Sequence, residues 1–132
     1  MRVLWVTNSI FAYHNVLLGR ESRASSSGSW LTAAYDGLKK DKDITLYIAT
    51  VSNVTERLEG CDGRNFFYIL PGGTLSNYDV GSNNNFNAWI KLRNEVQPDL
   101  IQIWGTESRF AYVAMKAFAG IRCMLYMQGI MT

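Results

Sequence analysis

The stretch Pro98-Asp99-Leu100-Ile101-Gln102-Ile103-Trp104-Gly105-Thr106-Glu107 constrains the fold more tightly than any other part of the chain. Gln97 precedes a proline and is pushed toward extended geometry, so a helix before it stops there and a short apolar strand, Leu100 to Trp104, begins. Gly105 ends that strand. Thr106 is then placed to cap a helix whose apolar residues Phe110, Val113, Ala114, Ala117 and Phe118 recur at i, i+3, i+4, i+7 and i+8, with Gly120 closing it. Helix, strand, tight turn and helix make the repeating unit of a parallel α/β sheet, where ligands sit outside the carboxyl ends of the strands. Trp104, Gly105, Thr106 and Glu107 are therefore candidate binding residues.

The remaining segments fit the same alternation. Val3-Leu4-Trp5-Val6 is a short apolar run of the kind a buried parallel strand needs. Residues 9–27 read as one long loop containing Gly19, the charged patch Arg20-Glu21-Ser22-Arg23 and three serines; a functional loop and a plain surface excursion both fit. Ser29 can cap a helix carrying Trp30, Leu31, Ala34, Tyr35 and Leu38 on one face. The β-branched and aromatic run at residues 44–51 predicts a second strand, residues 54–59 a short helix, and Phe66-Phe67-Tyr68-Ile69-Leu70 a third strand stopped by Pro71-Gly72-Gly73. Residues 75–85 read as a loop ending in an N-cap, followed by a helix with Phe86, Trp89, Ile90, Arg93 and Val96 along one stripe. Residues 123–127 make a fifth strand. The prediction is a Rossmann-like doubly wound parallel sheet of at least five strands, with the strand at Leu100 beside the strand at Val3.

Composition narrows the function classes. With 132 residues, 48% of them hydrophobic, the chain can bury one core and is too short for two ordinary domains. A net charge of +2 with no long basic run argues against nucleic acid as a partner. Cys61, Cys123 and the single histidine, His14, match no zinc spacing, so no metal is expected. The apolar run after Arg2 is too short for a signal peptide, and no stretch is long enough to cross a bilayer. The expected location is the cytoplasm, with peripheral contact at the inner face of the membrane left open.

Few residues carry chemistry. Ser27-Gly28-Ser29 stands at the head of a helix, where free backbone N–H groups suit a phosphate; relief of a tight helix entry by Gly28 fits equally well. No G-x-G-x-x-G follows the first strand and no acidic residue ends the second, which disfavours a nicotinamide dehydrogenase; a Walker pattern is also missing. Asn8 occupies the strand end where a receiver domain has its phosphorylatable aspartate. Glu107 could orient a substrate hydroxyl or simply complement a helix dipole, and Trp104 could stack on a sugar or be core. His14 is either a base or ligand contact, or a solvated loop side chain. Gln128, before Gly129, points at the crevice and can hydrogen-bond in both directions without acid–base range.

Taken together, Met1 to Val6, Ser27-Gly28-Ser29-Trp30-Leu31, Pro98 to Gly105 and Tyr126-Met127-Gln128-Gly129 resemble the N-terminal domain of a GT-B glycosyltransferase of family 4, the retaining group-1 enzymes. The resemblance covers essentially the whole chain. It implies one half of a GT-B architecture: residues 1–132 as the acceptor-side domain, with a separate C-terminal donor-binding domain as partner. It further implies a nucleotide-sugar donor as co-substrate, no other cofactor, and a glycan or lipid-linked acceptor. Ser27, Gly28 and Ser29 would face the donor diphosphate. Trp104, Gly105, Thr106, Glu107, Gln128 and Gly129 would line the acceptor or sugar side. The family's aspartate-hydrophobic-hydrophobic-His-x-His-Gly pattern is Asp99-Leu100-Ile101-Gln102-Ile103-Trp104-Gly105 here, with both histidines replaced, and its later His-Gly is Gln128-Gly129. No catalytic residue is assigned, and this domain alone is expected to be inactive. The alternative is a free-standing Rossmann-like ligand-binding module without catalysis.

Overall fold

The structure, a computed structural model, describes residues 1–8, 11–19, 29–74, 77–105 and 108–126. Its elements are β1 (Arg2–Thr7), α1 (Ala12–Leu17), α2 (Ser29–Leu38), β2 (Thr45–Val51), β3 (Leu58–Asp62), β4 (Asn65–Leu70), α3 (Asn83–Val96), β5 (Leu100–Trp104), α4 (Arg109–Ala117) and β6 (Cys123–Tyr126). The six strands form one mixed sheet in the order β3-β4-β2-β1-β5-β6, and every pairing is parallel except that of β3 with β4.

Period-2 alternation sorts the side chains of the central strands onto two faces. Leu4, Val6, Ile101 and Ile103 share one core with Trp89 and Leu92 of α3 and Phe110 and Ala114 of α4. Val3, Trp5, Ile48 and Phe67 share the other with Phe11 and with Leu31 and Tyr35 of α2. With helices on both faces, β1 and β2 are buried almost throughout, as their continuous apolar sequences require.

The predicted neighbours pair as expected: Val3 lies opposite Leu100, and Thr7 opposite Trp104. Asp99 fixes that register, since its carboxylate accepts the Arg2 N–H at 2.8 Å and its own N–H reaches the Arg2 carbonyl at 2.8 Å. The helix α3 stops at Gln97 as expected, but Gln97 takes the left-handed conformation (φ 50°) of a helix C-cap rather than the extended geometry expected before Pro98. Arg93, from the edge of the α3 stripe, donates to the carbonyls of Ala117 and Ala119 and so satisfies the end of α4.

Four further expectations are corrected. The helix expected at residues 54–59 is replaced by a bend and β3, because Leu58–Asp62 folds back on β4 through a turn at Gly63. The long loop after β1 contains a helix, α1. The helix α3 starts at Asn83 with Ser82 as its cap, accepting from the Asn85 N–H, so the preceding loop is shorter than residues 75–85. Ser108, not Thr106, occupies the N-cap position of α4.

The hairpin strand is tied to the helical layer by Arg57, whose guanidinium bonds Glu95 at 2.6 and 2.7 Å and Glu59 at 2.8 Å and lies 5.7 Å from the Tyr68 ring. Replacing Arg57 with alanine is expected to cost about 1 kcal/mol, the scale of a well-formed surface network, and the loss should shrink in high salt. Urea unfolding at low and high ionic strength measures both.

The two edges of the sheet differ. The outer strand β3 carries exposed Glu59 and Asp62, whereas β6 exposes Met124 at 44% and Leu125 at 50%. Cys61 and Cys123 are exposed free thiols, one on each edge strand.

Candidate functional site

Chain order reverses around β1: it proceeds outward through β2 to β4, then returns to place β5 and β6 on the other side. A crevice at the carboxyl ends of the strands is expected where such a reversal occurs. Here Thr7, Trp104 and Tyr126 stand in register across β1, β5 and β6, so the chain leaves these three strands side by side at one edge.

Trp104 is nine-tenths buried, stacked on Tyr126 at 4.0 Å between ring centroids and edge-on to Trp5 at 5.4 Å. One ring face is thus occupied by protein. Gln102, the other residue standing at a histidine position of the resembled pattern, is equally engaged. Its Oε1 accepts the Trp5 indole N–H at 2.7 Å, and its Nε2 donates to the Tyr126 hydroxyl at 3.1 Å. Both side chains knit β1, β5 and β6 together near their carboxyl ends.

Gly105 follows with φ +87°, a conformation in which a side chain is strained. A Cβ there would lie 2.6 Å from Asn8 Nδ2 and 2.7 Å from its Cγ, so the Asn8 carboxamide occupies the space that a side chain at 105 would fill. The Gly105 N–H donates to the Tyr126 carbonyl at 2.9 Å, and its carbonyl accepts the Ser108 N–H at 3.0 Å. At the end of β4, Gly72 (φ +135°) plays a similar part, since a Cβ there would meet the Tyr78 ring at 2.6 Å and the Asn85 carboxamide at 2.7 Å. The ends of β1, β2, β4, β5 and β6, from Thr7-Asn8 to Tyr126, carry no charged residue among those described.

His14 is neither solvated nor at the strand ends. It sits in α1 with no exposed surface, its ring 5.8 Å from that of Phe11 and 5.2 Å from that of Phe67. Nδ1 accepts the Phe11 backbone N–H at 3.0 Å, so the proton is on Nε2, which donates to the Ile48 carbonyl at 3.2 Å. Burial lowers its pKa from 6.5 to about 4, although the carbonyls of Ile48 and Tyr68 favour the charged ring. A ring kept neutral by burial and fixed by two backbone bonds is structural, and it locks α1 to β2.

Ser27, Gly28, Thr106, Glu107, Gln128 and Gly129 lie outside the described residues. Ser29 is the first residue of α2. The sequence reading gave Asn8 no binding role and Gly72 only that of ending a strand; the one available signal was their place immediately after apolar strands. Away from the strand ends, a cavity of about 160 Å³ lies between α1, α2 and β4, lined by Phe11, Tyr13, Tyr35 and Phe67 with Asp36 and Asp62 at its rim. Burial and the nearby Asp62 push the Tyr35 hydroxyl up to about 12, so it is a neutral donor there. No group of three or more potential metal ligands occurs among the described residues, and none of the described helices is long and apolar enough to cross a membrane. Comparison of the chain with protein-family models, with curated proteins and with solved structures finds no match.

Proposed function

We propose that this chain is the acceptor-side domain of a retaining sugar transferase of GT-B architecture. In this reading it binds a glycan or lipid-linked acceptor and one side of a nucleotide-sugar donor, while a second domain completes the donor site. The observation that carries the reading is the register of Thr7, Trp104 and Tyr126. It brings the starting points of the segments after β1, β5 and β6 together, and those are the segments that bear Ser27-Gly28-Ser29, Thr106-Glu107 and Gln128-Gly129 in sequence. Strand order gives further support. With the antiparallel β3 set aside, the parallel strands β4-β2-β1-β5-β6 follow the doubly wound order in which the chain's first strand is central. The described ends of these strands carry no charged residue, which suits contact with the hydroxyls of a sugar.

One wall of a cleft makes only part of the contacts of a closed site, so the domain alone should bind nucleotide sugars weakly and turn none over. Isothermal titration and amide-shift mapping of residues 1–132 with UDP-glucose and GDP-mannose test this. The expected result is a dissociation constant on the order of millimolar, near −4 kcal/mol, with shifts confined to residues at the ends of β1, β5 and β6. Submicromolar binding would favour a self-sufficient binding module, and shifts elsewhere would overturn the site.

A further inference from the structure

We propose that the cavity between α1, α2 and β4 binds a small organic cation, a trimethylammonium group of the kind choline carries, between the rings of Tyr13, Tyr35 and Phe67 and beside the carboxylate of Asp62. The cavity lies away from the carboxyl ends of the parallel strands, so this inference is independent of the transferase reading.

The walls come from three elements that the fold brings together. Phe11 stands at the start of α1, Tyr35 lies in α2 and Phe67 in β4, and their rings cross rather than stack. Tyr35 stands at 81° to Phe11 and 74° to Phe67, with centroids 5.7 and 5.5 Å apart. Tyr13 adds a fourth ring, 5.2 Å from Phe67. Crossed rings leave a corner that a stack would close. The space there is about 160 Å³, below the roughly 300 Å³ at which pockets for drug-sized ligands begin, so it suits a headgroup and not an extended molecule. Aromatic faces carry negative potential, and several rings around one small space are how proteins recognise alkylammonium ions.

The structure already holds one ammonium at this mouth. Lys39 Nζ lies 5.3 Å from the centroid of the Tyr35 ring and 3.3 Å from the Asp36 carboxylate, so a ring of the cavity and a carboxylate at its rim together accept a cation that the chain itself supplies. The second rim carboxylate, Asp62, has no such counterpart. Its side chain accepts the Tyr35 hydroxyl at 3.5 Å and makes no ion pair among the described residues. Arg64, in the same hairpin, is turned to the carbonyls of Asp41 and Lys42 at 2.8 and 3.2 Å. Asp62 is exposed, so what it contributes is charge and not an unmet hydrogen bond. The lining carries two carboxylates against one ammonium, which attracts a further cation and repels an anion. A metal ion fits less well, because aromatic faces supply no lone pairs and no group of three potential ligands occurs among the described residues.

The test titrates the 132-residue chain with choline and with its uncharged isostere, in which carbon replaces the nitrogen, following amide and aromatic signals by NMR. Wild type, Asp62→Asn and Lys39→Met are compared, with thermal unfolding recorded for each. Choline should bind with a dissociation constant on the order of millimolar and shift the signals of Tyr13, Tyr35 and Phe67. The isostere should bind at least about fivefold more weakly, the scale of a partly desolvated cation–π contact. Asp62→Asn should weaken choline binding about threefold, and Lys39→Met, which keeps the stem and removes the competing ammonium, should tighten it about threefold. Both residues are exposed, so the melting temperature should stay nearly unchanged. Flotation with phosphatidylcholine vesicles assigns the source of the group: co-flotation points to a lipid headgroup, and its absence to a free ammonium compound. Equal affinity for choline and its isostere would overturn cation recognition. Choline shifts away from these rings, or an affinity that neither variant changes, would overturn the placement. No response to choline at millimolar concentrations would remove the proposal and leave the transferase reading untouched.

Discussion

Lowering the pH from 7.5 to 4 is expected to remove on the order of 3 kcal/mol of stability through His14 alone. The folded-state pKa of about 4 lies below the ordinary 6.5, so the folded protein disfavours the charged ring. Between those two values the unfolded chain takes up a proton that the folded chain does not, and stability falls as pH drops. The contribution is complete above pH 6.5, is lost progressively below it, and levels off near pH 4, where the folded protein titrates as well. A separation of about 2.5 pKa units at 1.36 kcal/mol each gives the stated size. Carboxylates also titrate near the lower end, so the measurement is a difference. Urea unfolding of wild type and His14→Gln across this range should give curves that converge as the pH falls, the variant being less stable at neutral pH but lacking the histidine slope. Parallel curves would mean that His14 titrates alike in both states.

The largest single loss of stability is expected from Trp89→Ala, about 3–5 kcal/mol. Trp89 is completely buried, lies parallel to Phe110 at 6.4 Å and edge-on to Phe118 at 6.1 Å, and donates its indole N–H to the Tyr78 hydroxyl at 3.0 Å. Truncation leaves a cavity between α3 and α4 and deprives a buried hydroxyl of its donor. A loss of that size is a large part of what a domain this small possesses. Trp89→Phe separates the two effects, because it keeps most of the volume and loses the hydrogen bond. Tyr78→Phe should therefore cost less in the Trp89→Phe background than in wild type. Additive costs in a double-mutant cycle would show the bond to be energetically silent. Because the Tyr78 ring lies against Gly72, the same substitutions should also disturb backbone amides in the loop after β4.

The fold was legible where periodicity and punctuation agreed. Leu100 to Trp104, between Pro98 and Gly105, could only be a short buried strand, and its partnership with β1 followed from the doubly wound pattern. The hairpin strand β3 was not legible: Leu58-Glu59-Gly60-Cys61-Asp62 has little β-propensity of its own and is a strand because β4 lies beside it. The helix α1 was hidden for a related reason. A helix of 6 residues is held by burial of Phe11 and His14, which no local propensity reports. His14 itself shows the limit most plainly, since its neutrality comes from burial against residues such as Phe67 that are distant in sequence. For the crevice, the sequence indicated which strand ends matter. It did not indicate that Gly105 makes space for Asn8, because that depends on two strands lying in register.

The unlike edges of the sheet give it a direction of growth. On one side β3 runs antiparallel and presents carboxylates, which discourages a further strand. On the other, Cys123-Met124-Leu125-Tyr126 offers an uncharged edge with apolar side chains exposed on both faces. A sheet with one receptive edge behaves like a monofunctional unit in a polymerisation. Once β6 has paired with the β6 of a second copy, the only edges left among the described strands are the two acidic, antiparallel β3 strands, which disfavour further pairing, so such association would end at a pair rather than propagate into a fibre.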